Sequence, residues 1–504
     1  SSLRGFRRGR HCTAGCAEGM VHLEERSSAL ALKPPRSLKL VLAQLSECPQ
    51  AELLGHLRRF RGQHWERCTA VHWHPLLNRF DDLLAAHADP KKRGTESSPT
   101  SELVCEVLRA LYDILMQHAE LKGVFASGDR LRDLLDSTDL LVVLGTLRCL
   151  SVCPPGRHLR GLHGVVAERR LEALAGGGAW PGGLCAACAR ESPVRDFAYE
   201  VPRVSGDALG LTSLAVPAAR ASADAEDLMR ELLAAHAVPE AYHPALRLQL
   251  CMWCHARTPE GRREVVAISL YALCNAVKHL GPSFLHQHLQ KRPGLFAELC
   301  DVLQNLQQVG GEVGVAVLRA AGAVLDSRYG QNRAEMTQLS QMLGLSVPHG
   351  IVACALRGLL GEEPPAEQLE SHYKVLMSAL DLFQITTASN HQTTVQLGHA
   401  GMILAMLEFM QKKDVLSLPA VVAMLRCLEL AAEVSGSTAL ILFREFRGLA
   451  AFSTRLQQEV DVLMALDFKG DVYDTEPPGA GASDEARAAY WCLLEEGTAR
   501  RRLC

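Results

Sequence analysis

Residues 129–153 read DRLRDLLDSTDLLVVLGTLRCLSVC, and the spacing of the apolar residues here decides the fold. It predicts a short helix, a turn at Ser137, and a longer helix with Val143, Leu144, Leu147 and Leu150 on one face. Asp139 falls in the first turn of that second helix, where the helix dipole favours an acid. Pro154 and Pro155 end it, because proline cannot continue a helical hydrogen-bond ladder. Two further stretches share the plan of helix, break and helix: 295–327 (LFAELCDVLQNLQQVGGEVGVAVLRAAGAVLDS) and 397–436 (LGHAGMILAMLEFMQKKDVLSLPAVVAMLRCLELAAEVSG). Helix pairs of roughly 30–40 residues cannot bury their apolar faces alone, so stacked neighbours must do it. The expectation is an all-α chain, an α-solenoid of irregular helical repeats.

The rest of the chain agrees with a helical reading. In HWHPLLNRFDDLLAAH (72–87), Trp73, Leu76, Leu77, Phe80, Leu83 and Leu84 make one continuous helical stripe. Leu38, Val41, Leu42 and Leu45 do the same upstream, and Pro49 separates them from Leu53, Leu57 and Phe60. The one strand candidate is DFAYEVPRV, where Phe197, Tyr199 and Val201 alternate and Pro202 restricts the strand to an edge. Polar or Gly/Pro-rich loops are expected at 91–100, 174–183, 361–368 and 468–486.

Composition narrows the function classes. Aromatics are only 5% while Leu and Ala dominate, which suits packed helices. No uninterrupted apolar run reaches the roughly 18 residues of a membrane span, so no membrane partner is expected. Fifty-three basic residues against 56 acidic ones leave a net charge of −3, with no broad basic excess to hold a nucleic acid. The opening SSLRGFRRGRHC is basic but lacks the apolar core of a secretory signal, and the chain starts without Met; it reads as a fragment or a processed product rather than a transit-peptide remnant. Seventeen cysteines scattered through Leu-rich stretches are expected to be reduced, buried, small apolar residues, which points to the cytoplasm, the nucleus or both.

Several spellings suggest chemistry and were weighed. Cys251-Met-Trp-Cys254-His255 matches the C-x-x-C-H of c-type haem attachment. However, no export signal accompanies it, and on a helix its two cysteines share one face beside Leu248 and Leu250. Cys185 and Cys188 form a second C-x-x-C, in a loop; Cys12/Cys16 and Cys149/Cys153 are C-x-x-x-C pairs. The C-x-x-C pairs start 66 residues apart, unlike a zinc site's short separation, and no βαβ context supports a redox pair. His72 and His74 flank the buried-face Trp73 and are expected at the sides or in solvent. GGEVG (310–314) follows a helix rather than a strand and lacks a full G-x-G-x-x-G, so it reads as an inter-helix turn. No catalytic, cofactor-binding or metal-ligating residue is assigned, and no cofactor is expected.

Five segments carry a family resemblance. HWHPLLNRFDDLL (72–84) resembles the H-W-x-x-[VL]-L-[DN]-R-F-D-x-[IL]-L helix near the start of the giant HECT-type E3 ubiquitin ligases. LVLAQLSECPQAELLGHLRRFRG upstream, LLDSTDLLVVLGTLRCLSV (134–152), LRLQLCMWCHARTPEGRREVVAISLYALCNAV (246–277) and STRLQQEVDV (453–462) are similar to later elements of that family, in the family's order. They span roughly 37–465 and correspond to the adjoining domains of unknown function 908 and 913. Residues 154–245 match poorly, and Met252-Trp253 stand where the family has Phe.

The resemblance implies an armadillo-like solenoid. A basic N-terminal segment is expected at 1–36, a first armadillo-like domain at 37–345 with a Gly/Ala-rich insert near 154–245, the start of a second at 346–467, and a linker with a short helix at 468–504. It also implies a parent enzyme that accepts ubiquitin from an E2 onto a cysteine of a C-terminal HECT domain, in a T-C-x-x-x-L setting. None of the seventeen cysteines follows a Thr, so that domain is expected outside this chain. The implied role is a scaffold that recruits protein substrates for ubiquitination; a stand-alone helical-repeat adaptor without catalysis is the alternative.

Overall fold

The last carbonyls of an α-helix have no intrahelical donor. In the computed structural model of this chain, basic side chains from later helices supply donors again and again. The structure describes residues 36–60, 70–89, 99–118, 121–122, 128–153, 165–176, 183–188, 194–202, 211–326, 328, 333–389, 401–412, 414–465 and 489–490. Among them are 22 α-helices and one two-stranded sheet, an all-α helical-repeat architecture. The segment expected at 1–36, the linker and short helix expected at 468–504, and the Cys12/Cys16 pair lie outside the described residues, Arg36 and residues 489–490 apart.

The chain begins with α1 (Arg36–Glu47), α2 (Gln50–Arg59), α3 (Ala70–Ala88), α4 (Ser101–Gln117), α5 (Gly128–Leu134) and α6 (Leu140–Val152). Then come α7 (Val165–Gly176), α8 (Gly183–Ala187), strands β1 (Phe197–Pro202) and β2 (Leu211–Val216), α9 (Ala225–Ala235), α10 (His243–His255) and α11 (Pro259–Leu280). Next are α12 (Pro282–Lys291), α13 (Leu295–Gln304), α14 (Leu306–Val309), α15 (Gly311–Leu325), α16 (Arg333–Met342), α17 (Ile351–Gly361) and α18 (Leu369–Ser389). The last are α19 (Met402–Phe409), α20 (Leu418–Val434), α21 (Gly436–Leu440) and α22 (Gly448–Ala465).

The repeat unit predicted at 129–153 is α5 and α6, joined by a turn at Ser137. Asp139 caps α6 rather than sitting inside it: its carboxylate accepts from Leu141 N at 2.9 Å, satisfying one orphan donor of the first turn. The units predicted at 295–327 and 397–436 are α13–α15 and α19–α20. Trp73, Leu76, Phe80 and Leu84 are buried as the stripe requires.

Six helices form the spine. α4 packs on α6, α6 on α11, α11 on α15, α15 on α18, and α18 on α20. The remaining helices brace this row: α7 lies against α11, α13 against α15 and α17, and α17 against α19. One hydrophobic core runs through the row from Leu42 to Tyr490. Val415–Val434, which includes α20, is long and apolar enough to cross a membrane by length and composition, a property that a count of uninterrupted apolar residues does not register. In this structure Leu418, Val421, Met424, Cys427 and Leu428 are buried, and α20 packs on α18.

The turn expected at GGEVG is where α15 starts. Gly310 takes φ +93°, a left-handed value that suits glycine. A Cβ on Gly311 would lie 1.8 Å from Ser371 Oγ, so the second glycine lets α18 approach α15 closely. Packing, not phosphate binding, accounts for both residues.

The later basic residues then lock the helices end to end. Arg79 of α3 donates to Leu45 O (2.7 Å) and Cys48 O (2.5 Å), closing α1. Arg109 of α4 donates to Leu57 O and Phe60 O beyond α2. Arg170 of α7 donates to Leu135 O (3.0 Å) beyond α5, and Lys278 of α11 to Ser151 O (2.5 Å) in α6. Arg455 of α22 donates to Met410 O (2.5 Å) and Lys412 O beyond α19. Each bond is charge-assisted and places a cation at the negative end of a helix dipole. Arg79 and Arg455 are the arginines of two of the family-like segments, which gives those spellings a mechanical role.

The Gly/Ala-rich stretch 154–245 is helical at α7, α8 and α9 but also holds the sheet. β1 is the predicted strand. It pairs antiparallel with β2, from Phe197 opposite Val216 to Pro202 opposite Leu211. Phe197, Val201, Leu214 and Val216 form a satellite core with Leu228, Met229 and Leu232 of α9.

Candidate functional site

Single charged residues interrupt the apolar helices of the row: Arg148 in α6, Lys278 in α11, Glu312 and Arg319 in α15, and Asp381 in α18. The fold gathers them. Arg148 Nε donates to Glu312 Oε1 at 2.6 Å and its Nη2 to Glu312 Oε2, a two-pronged pair joining α6 to α15. Arg319 Nη2 reaches Tyr112 Oη of α4 at 3.0 Å and Met116 Sδ at 3.3 Å, and its guanidinium lies 5.7 Å from the Tyr112 ring centroid. Burial pushes the Tyr112 and Tyr271 hydroxyls beside this network above the ordinary tyrosine range, so both stay protonated donors.

Beside the network an open cleft of ≈ 550 Å³ crosses five helices of the row, from Ser151 of α6 to Leu430 of α20. Lys278, Arg319, Asp326 and Asp381 bring charge to it, Ser378 and Gln384 bring neutral polar groups, and Leu318, Leu382 and Ile385 bring apolar surface. Convergent polar groups on an apolar lining are what recognition sites use to fix a ligand's orientation. Burial raises the Asp381 carboxyl above its usual range, against the pull of Arg319, Lys122 and Arg426. The sequence reading assigned none of these residues. Their signal was a lone charge inside an apolar helix, as in AVLRAAG and SALDLF, which also fits an ordinary helix edge.

The spellings weighed for chemistry fall elsewhere and do not converge. Cys251 and Cys254 both lie on α10, but Cys251 packs against the main core and Cys254 against the satellite core. The shared face expected for them is thus a helix wedged between two cores. Trp253 Nε1 donates to Arg195 O at 2.7 Å, and His255 Nε2 meets Glu264 Oε2 at 2.5 Å. Cys188 is buried, and Cys185 lies half-buried on α8, a short helix where a loop was expected. His74 is exposed and His72 half-buried, either side of Trp73. No three His, Cys, Asp or Glu side chains gather as a metal site among the described residues.

The described cysteines are free thiols, and Cys354 alone of them is exposed. Cys149 Sγ donates to Leu108 O (3.3 Å) and Cys427 Sγ to Leu380 O (3.7 Å), each tying one spine helix to the one before. Burial pushes the Cys188 and Cys427 thiols up to about 12 and those of Cys153 and Cys251 to about 11, so these four are neutral thiols at pH 7.

Comparison with known proteins agrees with the family resemblance. The chain is 21% identical over 477 residues to the E3 ubiquitin-protein ligase HUWE1 of mouse (Mus musculus), covering 85% of this chain and 10% of the ligase. The rat (Rattus norvegicus) ligase of the same name matches to the same extent. The chain thus spans about a tenth of the length of the curated relatives it matches. No family model matches the sequence. Among solved structures, the crystal structure of an engineered protein covers 92% of this chain and 99% of its own at 13% identity, with a TM-score of 0.25. The chain resembles one region of a giant HECT-type E3 ubiquitin ligase, at low identity.

Proposed function

We propose that this chain is an N-terminal scaffold region of a HECT-type E3 ubiquitin ligase and recruits protein substrates for ubiquitination. The observation that carries this reading is the similarity to the E3 ubiquitin-protein ligase HUWE1 along 85% of the chain. The stacked row with its polar-lined cleft adds support, because helical-repeat surfaces suit the capture of extended partners. In this reading the residues described here hold and orient a substrate. The thioester with ubiquitin forms on a HECT-domain cysteine outside them, charged by an E2, and the work takes place in the cytoplasm, the nucleus or both.

Competition tests the proposal. A protein that binds this chain is supplied to the ligase whose reading frame carries the chain, together with E2-bound ubiquitin. Isolated chain added in saturating excess is expected to suppress ubiquitination of that protein, because it sequesters the substrate away from the catalytic lobe. Undiminished ubiquitination, with the substrate shown to be bound, overturns recruitment by this region.

A further inference from the structure

We propose that the cleft crossing α11, α15 and α18 binds an acidic segment of a partner protein, whose carboxylates are received by Lys278 and Arg319. This deepens, and rests on, the reading of the chain as a recruiting scaffold.

Charge complementarity carries the inference. Among the described residues lining the cleft, the cations are Lys278, Arg319 and Arg328, and the acids are Asp326 and Asp381. Arg328 and Asp326 neutralise each other: Arg328 Nε lies 2.9 Å from both carboxylate oxygens and Nη2 lies 2.5 Å from Oδ2. That leaves two cations against Asp381, and Lys122 and Arg426 are near enough to act on Asp381 as well. Lys278 donates to the carbonyls of Ser151 and Cys153, while Arg319 donates to a phenol oxygen and a thioether. These neutral acceptors satisfy hydrogen bonds without cancelling charge.

The crowding of cations has a visible effect. Lys278 and Lys122 are held below the ordinary lysine range, first by burial and further by the positive charge of Arg319. A carboxylate entering the cleft would relieve that repulsion. The chain as a whole is at −3, so this positive site stands out against its own background and would orient an acidic partner. Leu318, Leu382 and Ile385 offer apolar surface to residues next to the acids, and the ≈ 550 Å³ volume accommodates a few side chains, not a folded domain.

The test is fluorescence anisotropy with the full chain and three probes: a labelled peptide alternating Glu and Leu, its counterpart with Lys in place of Glu, and inorganic phosphate as competitor. The Glu peptide is expected to bind, more weakly as salt rises. Arg319→Gln should weaken it about tenfold, the scale of one lost charge-assisted hydrogen bond. Asp381→Asn should strengthen it, because the opposing carboxylate is gone. That gain decides the matter even if Arg319→Gln fails to fold, since loss of a merely structural contact does not improve binding. Failure of the Glu peptide to bind, or an unchanged affinity in Asp381→Asn, overturns the proposal. So does displacement by phosphate without peptide binding. Preference for the Lys peptide overturns the anionic assignment while leaving recruitment by this region standing, which the ubiquitination competition reads separately.

Discussion

Arg455→Met is expected to lower the stability of the C-terminal helices by about 3–5 kcal/mol, the usual cost of stranding one member of a buried ion pair. Arg455 and Glu459 are each 2% exposed and meet at 2.8 Å, one turn apart on α22. The same guanidinium closes the end of α19 through Met410 O and Lys412 O. Methionine keeps the apolar stem but removes every donor. Glu459 is then left charged in a dry site, and two carbonyls lose their partners. Because each repeat of a solenoid leans only on its neighbours, the damage should be local: amides of residues 402–465 lose hydrogen-exchange protection while those of α11 and α15 keep theirs. The double variant Arg455→Met/Glu459→Leu should recover part of the loss, since the stranded charge is gone but the carbonyls remain unpaired. A loss below about 1 kcal/mol would place the pair among ordinary surface bridges.

Trp73→Ala is the second large effect, with an expected loss of about 3–5 kcal/mol from the cavity and the lost transfer energy. Trp73 is fully buried in α3; its ring centroid lies 6.1 Å from that of Phe60 and 5.1 Å from that of His118. Chemical denaturation measures the loss. Binding of the acidic peptide should not change in molecules that remain folded, because Trp73 presents no surface to a partner. Loss of binding without loss of stability would make Trp73 a recognition residue instead of a core residue.

The spine was legible because its helices obey one rule. Val143, Leu144, Leu147 and Leu150 are apolar at helical spacing and are buried or nearly so in α6, and the break at Gly310 marks a real change of direction. The strand β2 was not legible. LTSLAV alternates only through Leu214 and Val216, and its pairing is set by β1, nine residues earlier at the nearest ladder partners, Pro202 and Leu211. C-x-x-C-H misled for a related reason: spacing places Cys251 and Cys254 on a helix but cannot say that two separate cores lie against that helix. The locking arginines were least visible. Arg79 and Arg455 look like residues of a solvated helix face until the carbonyls of a helix about 30–45 residues away come within reach, a distance set by stacking and not by local propensity. Arg319 and Asp381 left a faint signal, a charge inside an apolar run, but their convergence needs three helices placed correctly.

The central claim is that this chain is the recruiting part of a HECT-type ligase, and the reading frame tests it most directly. Sequencing the transcript past the codon for Cys504 is expected to show the frame running on to a HECT domain with a cysteine preceded by threonine. A stop codon soon after Cys504, with no such domain encoded, would contradict the claim and leave a helical-repeat adaptor without ligase activity of its own.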